Sequence, residues 1–202
     1  YRRAGVPADR VFDGYAGLDV EPFTNRPPGR LRAILGVGRE RRLVGMVAMF
    51  YPPKRYLGYR RGIKGHEDFI DALAAIQRER DDVTGVVIGG PWVRGEAYER
   101  EVHAYARERC GDGIVFLGQR SDVAELYPDL DVVVHPSLSE NVGGVGESLV
   151  SAVPTIATAV GGMPDFIRPG ETGWLVPPRC PEAITAALRE ALGDPAMARS
   201  LA

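Results

Sequence analysis

The sequence predicts an α/β fold: a Rossmann-like parallel sheet with helices on both faces. Short apolar runs alternate with helical patterns about six times along the chain. The runs are continuously apolar rather than alternating, which is typical of parallel strands that are buried on both sides. Polar and glycine-rich segments follow several successive runs. Because the carboxyl ends of parallel strands meet at one edge of a sheet, these segments predict a ligand site at that edge.

Length, charge and cysteine content limit the class of protein. The 202 residues carry a formal net charge of −2, which suits one or two globular domains and argues against a nucleic-acid binder. The two cysteines, Cys110 and Cys180, are far apart and lack metal-ligand spacing, which predicts reduced thiols in a cytoplasmic protein. We find no signal peptide and no run near the roughly 18 apolar residues of a membrane span. The start at Tyr1 and the end at Ala202 predict a fragment of a longer chain.

Residues 1–42 predict a linker that packs on the domain formed by residues 43–202. The linker is broken by turn residues. Its predicted regular elements are a short strand at Val11-Phe12, a turn at 14–17 and a short helix at 31–35.

Within the domain, apolar runs predict strands and stripes at helical spacing predict helices. Ser121 is the expected N-cap of one helix, with Glu125 as its partner. The polar segment 51–65 is too long for an ordinary connection, which indicates a functional loop. The predicted strands are 43–50, 83–88, 114–117, 131–134, 155–159 and 172–176, and the predicted helices are 66–80, 96–110, 121–127, 145–153, 163–167 and 181–192.

The segment after the strand 131–134 has the strongest functional signal. It contains Glu140, several glycines and a helix that is predicted to begin near Val145. Strand, glycine-rich loop and helix N-terminus form an arrangement that binds phosphate, because the backbone can approach the ligand and first-turn N–H groups point at it. Glu147 is predicted in that first turn, where helix capping alone would also favour a glutamate. Together, the two carboxylates indicate an anion that also carries sugar hydroxyls.

Acidic pairs elsewhere do not predict a metal site. Asp129 and Asp131 have the Asp-x-Asp spacing of metal-dependent sugar transferases. They precede a strand, however, and so lie at the edge of the sheet opposite the candidate site. The pair at 81–82 has the same position relative to its strand.

The three histidines show no metal spacing with one another. His103 is predicted on a helix surface and His66 at a helix start, while His135 could contact a ligand or play a structural role. The chain lacks a Gly-x-Gly-x-x-Gly helix start, a Walker loop and a serine nucleophile elbow, which argues against simple dehydrogenases, kinases and hydrolases.

Seven segments together resemble the carboxy-terminal half of retaining GT-B glycosyltransferases, and the resemblance extends from about residue 11 to residue 191. This glycogen-synthase-like group is known as glycosyl transferases group 1. The segments are Gly62-Ile-Lys64-Gly65, Val86-Val-Ile-Gly-Gly-Pro91, Ile114-Val-Phe-Leu-Gly118, Asp131-Val-Val-Val-His-Pro-Ser137, Glu147 to Pro154, Val160-Gly-Gly-Met-Pro-Asp165 and Gly170-Glu-Thr-Gly-Trp-Leu-Val176.

The resemblance implies one half of a GT-B fold, with a separate amino-terminal domain that binds the acceptor. It implies that Glu147 accepts hydrogen bonds from the nucleotide ribose and that Glu140 binds hydroxyls of the donor sugar. Lys64 would neutralise the diphosphate, helped by backbone N–H groups near Gly144 and Val145, with no metal and no other cofactor. Gln119 and Arg120 would flank the base. The full predicted donor-binding set also includes the loop residues Gly143, Gly146, Gly89 and Arg61.

The chain departs from the family pattern at three places, one of which is the entry segment 16–19, where the family's Asn is absent. Six residues separate Glu140 from Glu147 where the family has seven, so that an ungapped match would put Ser139 at the first position. The family's arginine at the end of the first strand is replaced by Met46 or Met49. The loop residues that could supply the missing charge are Lys54, Arg55, Arg60 and Arg61.

These inferences predict a retaining, metal-independent glycosyltransferase that moves a sugar from a nucleotide-diphosphate sugar to an acceptor hydroxyl. The acceptor would be a saccharide, a lipid or a small molecule. The fragment is expected to turn over poorly, because half of the cleft lies on the missing domain. The alternatives are a GT-B nucleotide-sugar 2-epimerase and a non-catalytic doubly wound binding domain. A cytoplasmic location is predicted, and peripheral association with a membrane is the alternative for the longer enzyme.

Overall fold

A single parallel sheet organises the chain. The structure, a computed structural model, describes residues 5, 7–11, 14, 15, 17–140 and 142–202. The strands are β1 (Arg42–Val47), β2 (Val83–Ile88), β3 (Ile114–Phe116), β4 (Val132–His135), β5 (Thr155–Thr158) and β6 (Trp174–Val176). The helices are α1 (Arg30–Leu35), α2 (His66–Gln77), α3 (Glu96–Cys110), α4 (Val123–Leu126), α5 (Gly143–Val150), α6 (Met163–Phe166), α7 (Pro181–Gly193) and α8 (Pro195–Ser200).

The strand order is β3-β2-β1-β4-β5-β6, and every neighbouring pair is parallel. The order reverses between β1 and β4, and this reversal opens a crevice at their carboxyl ends. The predicted α/β class and Rossmann-like sheet are therefore confirmed.

Helices cover both faces of the sheet, as the apolar runs predicted. In β1, Val44 packs into a core cluster with residues of α2, α3 and α7. Its neighbour Leu43 packs on the opposite face, in a cluster with Leu31 of α1 and Leu126 of α4. Successive side chains of a strand point to opposite faces, so a strand that is apolar throughout contributes to both cores.

The predicted element bounds agree with the observed ones to within three residues. Two details were wrong. The helix predicted from 145 begins at Gly143, and Ser121 is not an N-cap, because α4 begins only after Asp122, whose carboxylate is paired with Arg120. Phe12 of the predicted strand and Ala16 of the predicted turn lie outside the described residues.

Asp129 and Asp131 hold the linker helix against the domain. The carboxylate of Asp129 accepts hydrogen bonds from the backbone N–H groups of Gly29, Leu31 and Arg32, at 2.7–3.1 Å. Asp131 accepts from the N–H of Leu43 at 2.8 Å and pairs with the guanidinium of Arg32 at 3.2 Å. Both carboxylates lie near the amino end of β4, at the edge opposite the candidate site as predicted, and their role there is structural.

One histidine is more buried than the sequence indicated, while another forms the predicted start of α2. His103 was predicted on the surface, but its ring is half-buried and packs 4.0 Å from the ring of Phe116. His66 is fully buried and stacks on Phe50, with 4.3 Å between the ring centroids. In the part of the chain that the structure describes, no helix combines the length and the hydropathy needed to cross a membrane.

Replacing Asp129 with alanine is expected to lower the free energy of unfolding by about 2–4 kcal/mol, because three backbone N–H groups, the buried one of Leu31 among them, would lose their acceptor. Urea denaturation followed by circular dichroism would measure the change. Asp112→Ala, at an exposed turn position, is the control and should stay within about 0.5 kcal/mol of the parent. Equal midpoints for the two variants would contradict the anchoring role of Asp129.

Candidate functional site

A cavity of about 340 Å³ opens at the carboxyl ends of the central strands. A smaller cavity of about 40 Å³ adjoins it, and Lys64 and Gly144 line both. The smaller cavity also contains Glu140 and His135. The larger cavity contains Gly89, Gln119, Arg120 and Glu147 from the predicted set. The structure thus brings together residues that are up to 83 positions apart in the chain, from Lys64 to Glu147.

Lys64 and Glu140 form an ion pair between two loops. The ammonium of Lys64 contacts the carboxylate of Glu140, and both side chains are mostly buried, at 21% and 15% exposure. A backbone hydrogen bond of 2.7 Å, from the N–H of Leu138 to the carbonyl of Ile63, joins the two loops.

Gly65 permits this close approach. Its φ is +75°, and a Cβ there would lie 2.1 Å from the carbonyl oxygen of Pro136. Both the backbone conformation and the contact therefore require glycine at this position.

The segment that carries Glu140 is supported from two sides. The hydroxyl of Ser137 donates to the Glu140 carboxylate at 3.0 Å. Beneath it, Gly161 has a φ of +54°, and a Cβ there would lie 1.9 Å from the Glu140 carbonyl oxygen. Thr158 of β5 donates to the carbonyl of Ser137 at 2.6 Å. Glu140 is thus held by the end of β5 as well as by its own loop.

Glu147 lies in the second turn of α5, not in the first turn as predicted, because the helix begins at Gly143. Ordinary N-terminal capping therefore does not explain this glutamate. The buried hydroxyl of Tyr127 donates to its carboxylate at 3.1 Å. Burial raises the pKa of Glu147, and the hydrogen bond from Tyr127 partly opposes that rise. The carboxylate keeps acceptor capacity toward the cavity that it lines.

The start of α5 contributes backbone rather than side chains. Gly144 lies against His135, and a Cβ there would come within 3.1 Å of the imidazole ring. The side chain of Val145 is fully buried in a core cluster. The N–H of Gly146 already donates to the carbonyl of Val142 at 2.9 Å, so it is engaged within the helix. Gly143 is exposed.

The far end of the larger cavity is formed after β2 and β3. Gly89 adopts a φ of +150°, and a Cβ there would lie 2.0 Å from the carbonyl oxygen of Ala48. Gln119 is exposed, whereas Arg120 forms a two-bond ion pair with Asp122, at 2.7 Å for each bond. Arg120 therefore lines the cavity with its positive charge already balanced by the Asp122 carboxylate.

Arg61 is not brought to this site. Its guanidinium pairs with the carboxylates of Asp68 and Asp71 on α2, and it lines a separate cavity of about 450 Å³. Of the other charges in the 51–65 loop, Lys54, Arg55 and Arg60 do not line the two site cavities either. Met46 is buried and lines the smaller cavity, while Met49 lines the larger cavity. Either methionine therefore reaches the site at the end of β1 without supplying a charge.

Three residues of the site were missed by the sequence analysis. Tyr51 lines the larger cavity, Ser137 binds Glu140 and Tyr127 binds Glu147. Tyr51 follows the predicted strand 43–50 directly, and this position was the available signal. No comparable signal marked Tyr127, because a contact between residues 20 positions apart depends on the tertiary fold.

The arrangement suits a ligand with one anionic and several hydroxyl groups. An ammonium and the N-terminal end of α5 lie at the centre, and the positive end of a helix dipole attracts anions. A carboxylate lies on either side, where it can accept hydrogen bonds from hydroxyls. Within the described residues, no group of three histidine, cysteine or acidic side chains is arranged to hold a metal ion.

Comparison with known proteins identifies the family. The profile described as "Glycosyl transferases group 1" matches residues 56–194. The chain belongs to the glycosyl transferases group 1 family. It is 33% identical to the D-inositol 3-phosphate glycosyltransferase of Corynebacterium glutamicum, with 92% of this chain and 44% of the relative aligned. The same enzyme of Mycobacterium sp. strain JLS is 31% identical over 83% of this chain and 36% of the relative. The chain thus spans less than half the length of these relatives.

Solved structures share the fold. Sucrose-phosphate synthase of Thermosynechococcus elongatus is 31% identical, with a TM-score of 0.75, over 92% of this chain and 44% of the other. HepE of Anabaena, crystallised in complex with UDP, is 25% identical, with a TM-score of 0.84, over 99% of this chain and 52% of the other. The group 1 chain therefore has the architecture of one half of a GT-B fold.

Folding stability should fall as the pH drops below 6.5, because two buried histidines must remain neutral. Burial lowers the pKa of His135 to about 4, although the nearby Glu140 carboxylate opposes this shift and the Lys64 ammonium adds slightly to it. Burial also lowers the pKa of His66, to about 3. Since both folded-state pKa values lie below the unfolded value of 6.5, the stability that the two neutral histidines contribute is fully present above pH 6.5. This contribution is lost as the pH falls toward the folded-state pKa of each histidine.

His135→Gln should therefore reduce the slope of unfolding free energy against pH, between pH 6 and 4.5, by about 1.4 kcal/mol per pH unit. Urea denaturation at several pH values would measure it, and His66→Gln is the matched variant with the same expected reduction. Coincident slopes for the parent and His135→Gln would show that His135 does not contribute to the pH dependence.

Proposed function

We propose that this chain is the donor-binding domain of a retaining glycosyltransferase that works without a metal and takes a nucleotide-diphosphate sugar as donor. The observation that carries the proposal is the meeting of Lys64, Glu140, Glu147 and the start of α5 in two adjoining cavities. Each group suits one part of such a donor. The UDP bound to HepE, which shares this fold, supports the same ligand class.

In this proposal the nucleotide lies in the larger cavity. Glu147 accepts hydrogen bonds from the ribose hydroxyls, and the base lies toward Gly90 and Gln119. The diphosphate lies between Lys64 and the first-turn N–H groups at Gly144. Glu140, on the other side of Lys64, accepts hydrogen bonds from the hydroxyls of the sugar.

The chemistry follows from charge. When the bond between the anomeric carbon and the diphosphate oxygen breaks, negative charge grows on the leaving diphosphate. Groups that are already in place around that charge lower the barrier most effectively. Before the donor enters, Lys64 is held by its ion pair with Glu140 and the start of α5 by the packing of Val145, so both need little reorganisation. The acceptor would be bound by the amino-terminal domain that the resemblance implies. Retention of the anomeric configuration is expected from the same resemblance.

The first test is calorimetric titration of the 202-residue chain with UDP, GDP, ADP and dTDP, each with and without Mg²⁺. We expect saturable binding of one diphosphate with the same affinity under both conditions. Binding of none of the four at millimolar concentration would overturn the proposal in favour of a non-catalytic domain. Binding that required Mg²⁺ would overturn metal independence alone. Release of free nucleoside diphosphate and an epimerised sugar without an acceptor would instead identify the 2-epimerase.

Glu147→Gln should weaken binding of the preferred diphosphate about 5- to 50-fold, because a charged acceptor for the ribose diol is lost. Binding of the 2′,3′-dideoxy analogue should change little, since it has no diol. The control is Glu125→Gln, at an exposed position of α4, which should leave both affinities unchanged. Equal weakening of the two ligands would contradict the ribose contact.

Lys64→Met should weaken diphosphate binding about 10- to 100-fold and the corresponding monophosphate far less. The chain has only one other lysine, Lys54, which is exposed and lines neither cavity, so Lys54→Met is a matched control. If Lys54→Met caused the larger loss, the assignment of Lys64 to the diphosphate would be wrong.

A further inference from the structure

Tyr51 lines the larger cavity on the same side as Lys64. The Lys64 ammonium lies 5.7 Å from the centroid of the Tyr51 ring. A cation within about 6 Å of the face of an aromatic ring is attracted by the ring's quadrupole. The ring therefore provides a second hold on the ammonium, besides the Glu140 carboxylate.

The Tyr51 ring is itself fixed in place. It stacks on the indole of Trp92, with 4.7 Å between centroids and 20° between planes. The backbone beneath the pair continues the sheet: the N–H of Phe50 donates to the carbonyl of Gly90 at 2.9 Å, and the N–H of Trp92 donates to the carbonyl of Phe50 at 3.2 Å. Tyr51 thus lines the cavity with its ring stacked on Trp92, which is not itself part of the cavity lining.

The two holds on Lys64 differ in charge. Glu140 neutralises the ammonium and would place a carboxylate close to an incoming diphosphate, which like charges disfavour. Burial and the neighbouring Glu140 carboxylate raise the pKa of Tyr51, so its ring stays a neutral phenol. The ring can therefore restrain the ammonium and leave its positive charge available to an anion.

We propose that Tyr51 is a positioning residue of the donor site, whose ring face, backed by Trp92, keeps the Lys64 ammonium at the diphosphate when Glu140 turns to the sugar. The inference rests on the proposed function and extends it. A lysine has four rotatable side-chain bonds, and confining them before the ligand arrives lowers the entropic cost of binding. Tyr51 provides that confinement through the whole binding event.

The test compares Tyr51→Leu with Tyr51→Phe. The readout is the ratio of diphosphate to monophosphate affinity for the best-bound nucleoside among uridine, guanosine, adenosine and thymidine. Tyr51→Leu removes the ring and should lower the ratio about 3- to 30-fold. Tyr51→Phe keeps the ring face and should stay within about twofold of the parent. Tyr56→Leu, at a tyrosine that is 82% exposed, is the control and should leave the ratio unchanged.

Glu140→Gln provides an independent arm. Because a diphosphate without sugar does not need the Glu140 carboxylate, this variant should bind it several-fold more tightly than the parent. The gain should disappear in the double variant Glu140→Gln/Tyr51→Leu, since Lys64 would then have neither hold. A gain that persisted in the double variant would show that Tyr51 does not position Lys64.

The outcomes separate this inference from the proposed function. Failure of the parent chain to bind any diphosphate would overturn the proposed function itself. A parent that binds, together with a Tyr51→Leu variant of unchanged affinity ratio, would overturn only the role of Tyr51. Equal losses in Tyr51→Phe and Tyr51→Leu would assign the effect to the phenol hydroxyl and overturn the ring-face mechanism. Urea midpoints would confirm that each variant is folded before its ratio is interpreted.

Discussion

The candidate site depends on the close approach of two loops, the one that ends at Lys64 and the one that follows β4. Gly65 makes the approach possible, because neither its backbone conformation nor the contact with the Pro136 carbonyl tolerates a side chain. The hydrogen bond between Leu138 and Ile63 then joins the loops. As a consequence, a cation and a carboxylate that are 76 positions apart share one small cavity. Without this junction, Lys64 would extend from a long polar loop with no defined direction.

The supports of the two glutamates differ in kind. Glu140 is held by polar contacts and by the close approach of Gly161, which follows β5, whereas Glu147 lies on a helix and contacts one buried tyrosine. Burial raises the pKa of Glu147 and so makes its ionisation less favourable. A carboxylate with a purely structural role would gain no stability from such a position. Carboxylates whose burial disfavours charge are more common at functional sites than elsewhere. The electrostatics and the geometry of Glu147 therefore agree.

Much of the fold was predictable because it depends on local patterns. Continuous apolar runs predicted the strands, and the glycine-rich segment after β4 predicted the helix start that forms the centre of the site. Contacts between distant side chains had no such pattern. Arg61 was expected at the site from its place in the loop, yet two carboxylates of α2 hold it elsewhere. His103 was expected at the surface, because nothing in the helix sequence showed that Phe116 would cover it. Tyr51 was overlooked because a single aromatic residue in a polar loop belongs to no periodic pattern.

The strand order places the two ends of the cavity on separate parts of the sheet. Gly89, Gly90 and Gln119 follow β2 and β3 on one side of β1, while Ser137 and Glu140 follow β4 on the other. Lys64 and Gly144 are common to both cavities. Under the proposed function, the loops that meet the base and the loop that meets the sugar can diverge without disturbing one another, as long as the shared centre is kept. Such a modular cleft would let descendants of one ancestral gene exchange base preference and sugar preference independently during evolution.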